Sequence, residues 1–120
     1  MDELVRRLVA TVGVDSAVAE KSVGIILQFL LKEGPVDKVR ALLDRLPGSE
    51  AAVQAADAGG AGIFAMGGVM GAGTRLMGLG LDMGQVQAVT RAVIGYAREK
   101  IGEDAVGEIV GAIPGLGQFA

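Results

Sequence analysis

Apolar residues recur at helical spacing along most of the chain, and this pattern predicts amphipathic helices. A first helix is predicted over residues 2–12, with Gly13 as its end. A second helix, over about 16–33, is apolar on nearly every side, which predicts a central position in the fold. Asp15 stands immediately before it, where an N-cap residue belongs. No segment alternates convincingly with period two, so we predict no strand.

Glycine and proline mark the ends of the next predicted helices. Gly34 is expected to supply a left-handed residue after the second helix, and Pro35 is expected to open a third over 36–46. A Pro-Gly pair ends the third helix. Ser49 is then expected to cap a short, alanine-rich helix over 50–57.

The second half of the chain presents these signals in the same order. Asp82, with Gln85 three residues later, has the pattern of a capping box before a helix that runs to about Ile101. A last helix is predicted over about 103–113, and it also stops at a Pro-Gly pair. The tail, 116–120, is predicted to be irregular.

A single shift of the sequence, which places Val12 on Leu79, aligns 12–48 with 79–115 without a gap. Six identical pairs result, and they fall on the helix stop, the cap, and the start and Pro-Gly end of the following helix. We interpret them as a duplicated helical unit, the alternative being that any two capped helix pairs look alike. The identical pairs are Gly13 and Gly80, Asp15 and Asp82, Asp37 and Asp104, Val39 and Val106, Pro47 and Pro114, and Gly48 and Gly115.

This order of residues resembles a group of small bacterial helical-repeat proteins of unknown function, whose repeats begin Leu-Gly-Leu-Asp/Ser and end Leu-Pro-Gly. The resemblance covers about two thirds of the chain and implies an all-α fold and a bacterial source. It carries no catalytic residue. The matching text is Val12-Gly13-Val14-Asp15 to Leu46-Pro47-Gly48, and Leu79-Gly80-Leu81-Asp82 to Ile113-Pro114-Gly115.

The sequence therefore predicts one all-α domain over 1–120, a compact helical bundle of about six to seven helices. Two pseudo-repeated helical units, 12–48 and 79–115, are expected to flank a glycine-rich central helix within the segment 58–78.

That glycine-rich segment is the least ordinary part of the chain. Ten of the 20 glycines lie between Gly59 and Gly84, and no charge occurs from Ala58 to Thr74. We favour a buried helix whose small residues let neighbouring helices approach closely. The alternatives are membrane contact through a Gly-x-x-x-Gly spacing, an incomplete phosphate-binding loop, and a flexible linker.

A candidate helix-packing or partner surface lies in this segment and consists of Met66, Gly67, Met70, Gly71 and Arg75. Arg75 is expected to form a salt bridge or to extend towards solvent near a helix end. Its alternative role is to anchor an anionic ligand.

Composition excludes several classes of chemistry. The chain has no Cys and no His, so it lacks a disulfide framework, a thiol nucleophile and an imidazole base, and we predict no catalytic residue, cofactor or metal site. Its net charge is −3, with 14 acidic residues interspersed among 11 basic ones, so a nucleic-acid partner is not expected. The first residues lack the order of a secretory signal, no transmembrane span is expected, and we predict a cytoplasmic location.

We therefore expect a non-enzymatic helical interaction or structural protein that binds a protein partner or itself. The alternative is a protein that binds an apolar ligand or lipid in a deformable pocket of the Gly/Met-rich middle segment. The methionines expected to line that pocket are Met66, Met70, Met77 and Met83.

Overall fold

The structure, a computed structural model, describes residues 2–58, 68–113 and 115–118. Within these ranges it contains seven α-helices, one 3₁₀ helix and no strand, which confirms the predicted all-α bundle. The elements are α1 (Asp2–Val12), α2 (Ser16–Glu33), α3 (Val36–Asp44), α4 (Ser49–Ala58), α5 (Gly68–Met77), α6 (Met83–Ile101), α7 (Glu103–Ala112) and a C-terminal 3₁₀ helix (Leu116–Gln118).

The glycine-rich central helix predicted within 58–78 is described only in part. Helix α5 accounts for its second half, and residues 59–67 lie outside the described ranges. Helix α5 packs against both α2 and α6.

The core consists mainly of aliphatic side chains, because the whole chain has only four aromatic residues. The predicted apolar faces of the helices supply it. Its largest fully buried members include Leu4, Leu8, Leu27, Leu42, Leu46 and Leu76. Two apolar residues of the predicted helices, Val9 on α1 and Val36 at the start of α3, are instead 39% and 45% exposed. A periodic pattern identifies a helix face, but tertiary packing decides how much of that face is covered.

Helices α2 and α6 form the centre of the bundle. Helix α2 contacts α1, α3, α4 and α5, which agrees with its predicted central position, and α6 contacts α1, α3, α5 and α7. The two central helices also contact each other. As a result, the short N-terminal helix α1 packs on both of them, and so does α5. None of the described helices combines the length and the apolar character needed to cross a membrane.

Glycines at equivalent positions of the two aligned segments adopt the same unusual backbone conformation. Gly13 and Gly80 have φ angles of 81° and 97°, and each precedes one of the central helices. Gly48 and Gly115 have φ angles of 88° and 86°, and each follows α3 or α7. Positive φ is strained for residues that carry a Cβ atom, so all four turns need glycine.

The two predicted N-caps differ in the structure. The Asp82 carboxylate accepts a hydrogen bond from the Gln85 backbone N–H at 2.7 Å, and the Gln85 side chain accepts one from the Asp82 N–H at 3.0 Å. This confirms the predicted capping box. Asp15 occupies the N-cap position of α2 with an extended backbone, but its side chain forms no capping hydrogen bond.

The prediction of a left-handed residue at Gly34 is wrong. Its φ and ψ are −99° and −178°, which is an extended conformation. The following residue, Pro35, explains this, because a residue before proline is restricted to extended backbone. Glycine is nevertheless needed there, since an added Cβ atom would lie 2.8 Å from the Leu30 carbonyl oxygen.

Two further expectations are corrected near Pro-Gly pairs. Ser49 does not precede α4 as a cap but is its first residue, and its buried hydroxyl donates a hydrogen bond to the Leu43 carbonyl oxygen at 3.0 Å. The tail beyond residue 115 is not wholly irregular, because Leu116 begins a 3₁₀ helix. Leu116 is only 2% exposed, so its burial in the core anchors this turn.

Candidate functional site

The predicted surface on the glycine-rich segment is only partly within the described residues. Met66 and Gly67 lie outside them, and Met70 lies on α5. Gly71 and Arg75 also lie on α5, four residues apart and therefore on the same side of the helix. Gly71 is buried and Arg75 is partly buried.

Arg75 connects α5 to the central helix α2. One terminal nitrogen of its guanidinium, Nη1, donates a hydrogen bond to Oε1 of Gln28 at 2.6 Å. These two residues are 47 positions apart in the chain, and Gln28 lies on α2. The Arg75 side of α5 is therefore occupied, at least in part, by contacts within the bundle.

Another side of α5 has space beside Gly73, where an added Cβ atom would meet no heavy atom of the described residues within 4 Å. Near the end of the helix Met77 is 42% exposed, and Met83, at the start of α6, is 54% exposed. The connection between these two helices thus presents two flexible apolar side chains to solvent.

A groove between α2, α3 and α4 is a second candidate site, and the sequence pattern does not indicate it. It has a volume of about 420 Å³. Its apolar part comes from one residue on each helix, namely Leu31, Leu43 and Val53. Leu43 is buried and the other two are partly buried. The groove is lined by Leu31, Arg40, Leu43, Asp44, Glu50, Val53 and Gln54.

Charged side chains of both signs stand around this apolar part. Arg40, Asp44 and Glu50 line the groove and are all exposed. Arg40 and Asp44 are four residues apart on α3, a spacing at which opposite charges often pair. The ion pairs found among the described residues nevertheless join Arg7 to Glu3, Arg7 to Glu99 and Lys38 to Glu108. None of these three ion pairs of the described residues involves a charge of the groove.

A charged cluster at the α1–α6 contact differs from this groove because its members bind one another. Arg7 contacts the carboxylates of Glu99 and Glu3 and lies 5.0 Å from the centre of the Tyr96 ring. The Lys100 ammonium lies 5.1 Å from the same ring centre. This arrangement ties α1 to α6, and none of its members lines the groove.

Three hydroxyl groups that are formally possible nucleophiles have structural hydrogen bonds. Ser22 Oγ donates to the Val18 carbonyl oxygen and Thr90 Oγ1 donates to the Val86 carbonyl oxygen, each at 2.8 Å within its own helix. Ser49 donates to a backbone carbonyl as described above. Among the described residues, no group of three or more acidic side chains is arranged to hold a metal ion.

Comparison with known proteins returned no match for this chain among protein-family models, curated protein sequences or solved structures.

Proposed function

We propose that this chain is a non-enzymatic helical interaction protein and that the groove between α2, α3 and α4 is its contact surface. The proposal rests on one observation. The groove combines an apolar part with charged side chains that form no ion pair within the described part of the chain. Burial of Leu31 and Val53 by a partner would supply hydrophobic free energy, and the charges would supply specificity.

The architecture supports such a role through rigidity. Helix α2 is buried along most of its middle, and α3 and α4 pack directly on it. The groove is therefore formed by three helices that are held by one core, and little conformational entropy would be lost on binding.

We also propose that 12–48 and 79–115 descend from one duplicated helical unit. The shift that aligns these segments places the first residue of α2, Ser16, on that of α6, Met83, and likewise superimposes the starts of α3 and α7. The positive φ angles of the two glycine pairs, at the same spacing, support the same conclusion. After such a duplication, the groove in the first half of the chain could acquire a binding role that the second half lacks.

Photo-crosslinking from within the groove tests the interaction role. A photoreactive amino acid replaces Gln54, which lines the groove and is exposed, in the full chain inside the cells that produce it. We expect a discrete protein adduct, whose mass distinguishes a second copy of this chain from another protein. The matched control carries the same group at Gln87 of α6, outside the groove. Absence of a discrete adduct specific to the Gln54 position would contradict the proposal.

Binding of an apolar ligand or lipid is the second candidate function. The exposure of Met77 and Met83 on either side of the α5–α6 connection favours it, since methionine adapts its shape to varied apolar surfaces. Native mass spectrometry of the purified protein would show the added mass of a co-purified lipid. The double substitution Met77→Gln and Met83→Gln should remove that mass, and a protein with no added mass would exclude this candidate in the form stated.

A further inference from the structure

The charges of the groove have no counterpart in the second of the two aligned segments and the residues that follow it. At the same shift, Arg40, Asp44 and Glu50 correspond to glycines, namely Gly107, Gly111 and Gly117. Gly107 and Gly111 lie on α7, and a Cβ atom added at either would meet no heavy atom of the described residues within 4 Å. A helix in the equivalent place thus forms without side chains at these positions. The charges on α3 are therefore not required for α2 and α3 to form and pack. They can serve instead in the recognition of a partner.

We infer that the groove binds a segment of a partner protein that presents one large apolar side chain beside basic residues. This inference rests on the proposed function and specifies the chemistry of the partner. Three properties of the groove support it, namely its size, its openness and its charge.

The size of the groove favours a single apolar anchor. Its volume of about 420 Å³ is at the lower end of the range of roughly 300–1,000 Å³ that is usual for binding pockets. Its apolar part consists of three side chains, Leu31, Leu43 and Val53. A helix bound along a groove normally inserts a row of anchors over two turns or more, which needs a longer apolar strip.

The openness of the groove favours a protein segment over a small molecule. Four of its seven lining residues, Arg40, Asp44, Glu50 and Gln54, are exposed. Small-molecule sites typically bury about 70–90% of the ligand surface, and an open groove leaves one side of such a ligand in water. A partner segment brings its own backbone and neighbouring side chains to cover the anchor.

The charge of the groove favours basic residues beside the anchor. The groove is lined by two carboxylates, of Asp44 and Glu50, and one guanidinium, of Arg40, so the charge of its lining is negative. The net charge of the whole chain, −3, has the same sign. The negative charge of the groove and that of the whole chain both raise the rate of encounter with a basic segment and lower the rate with an acidic one.

Peptide titration followed by ¹⁵N–¹H NMR spectra of the full chain tests this inference. The probes are two blocked hexapeptides with one internal leucine, which is flanked by lysines in the first and by glutamates in the second. We expect the lysine peptide to shift backbone signals of α2, α3 and α4 around the groove, and to bind at least about tenfold more tightly than the glutamate peptide.

Charge reversal supplies the decisive variant. The double substitution Asp44→Lys and Glu50→Lys changes two exposed side chains, so the fold should persist, and it should invert the preference between the peptides. The matched control is Glu20→Lys with Asp37→Lys, which alters the net charge equally on α2 and α3 outside the groove. The control should retain the preference of the original chain.

The inference is overturned if the two peptides bind equally, if shifts map away from the groove, or if the control double variant inverts the preference as well. It is also overturned if neither peptide binds. In that case a discrete crosslinked adduct from position 54 would still support the interaction role, so the failure of the partner chemistry and the failure of the proposed function can be told apart.

Discussion

The guanidinium of Arg7 on α1 binds the carboxylate of Glu99 on α6 through two contacts, at 2.5 Å and 3.1 Å. The hydrogen bonds from Arg7 lower the pKa of Glu99, because they stabilise the charged carboxylate. The same contacts raise the pKa of Arg7. Both side chains are about half exposed, with fractions of 41% and 54%, so water and salt weaken the pair.

We predict that the stabilising effect of this pair depends on pH. The folded-state pKa of Glu99 lies below its unfolded value, so the pair stabilises the fold above the ordinary glutamate pKa of about 4.3 and loses its effect as the pH falls through the lower folded value. Glu99→Gln should therefore lower the melting temperature at neutral pH, and the difference from the original chain should shrink in acid.

Thermal unfolding followed by circular dichroism measures this difference. Glu20→Gln is the control, because Glu20 is exposed on α2 and has no ion-pair partner among the described residues. A melting-temperature difference for Glu99→Gln that stays constant from neutral pH into acid would contradict the prediction.

The two N-cap aspartates should differ in their contribution to stability. Asp82→Ala removes a hydrogen bond to the Gln85 backbone N–H and should lower the free energy of unfolding by about 1 kcal/mol. Asp15→Ala should have a much smaller effect, because the Asp15 side chain forms no capping hydrogen bond. Urea denaturation measures both values. Asp82→Asn keeps an acceptor oxygen and should retain most of the stability, whereas equal losses at the two positions would be inconsistent with the structure.

Local signals made much of the fold predictable. A positive φ at Gly13 or Gly80 and the capping box at Asp82 depend on a few neighbouring residues, so the sequence identifies where the central helices begin. Gly34 shows the limit of such signals, because the proline that follows it imposes an extended backbone in place of the usual left-handed one.

The candidate sites were less predictable because they depend on distant contacts. The groove arises where Leu31, Leu43 and Val53 of three different helices converge, and each residue by itself fits an ordinary core face. Arg75 is a notable charge in the sequence, but its partner Gln28 is 47 residues away and no local pattern indicates the contact. Helical periodicity defines faces, while the arrangement of helices determines which faces meet.

Two glycines of α5 should respond in opposite ways to a larger side chain. Gly71 is buried, so Gly71→Leu should overpack its surroundings and destabilise the fold by about 1–3 kcal/mol. A Cβ atom at Gly73 would meet no heavy atom of the described residues within 4 Å, so Gly73→Ala should be neutral or stabilising through its higher helix propensity. Chemical denaturation of both variants measures the contrast. Similar stability of the two variants would show that Gly71 is not packed as described.

Glycines of α7 and of the two Pro-Gly turns provide a test of why the chain contains so many. Gly107→Ala and Gly111→Ala each place a Cβ atom in open space within a helix, so each should stabilise the fold by about 0.5–1 kcal/mol. Gly48 and Gly115 have φ angles of 88° and 86°, and alanine at either position should destabilise the fold by about 1–2 kcal/mol.

The same substitution is thus expected to have opposite signs at positions only a few residues apart, and urea denaturation of the four variants provides the measurement. Gly95→Ala is a control on α6, where the added Cβ atom also meets nothing within 4 Å and stabilisation is expected. Stabilisation at Gly48 and Gly115 would mean that their turns do not require a left-handed backbone. Destabilisation at Gly107 and Gly111 would mean that another part of the chain covers α7, so that α7 would not present the uncovered surface that distinguishes it from α3.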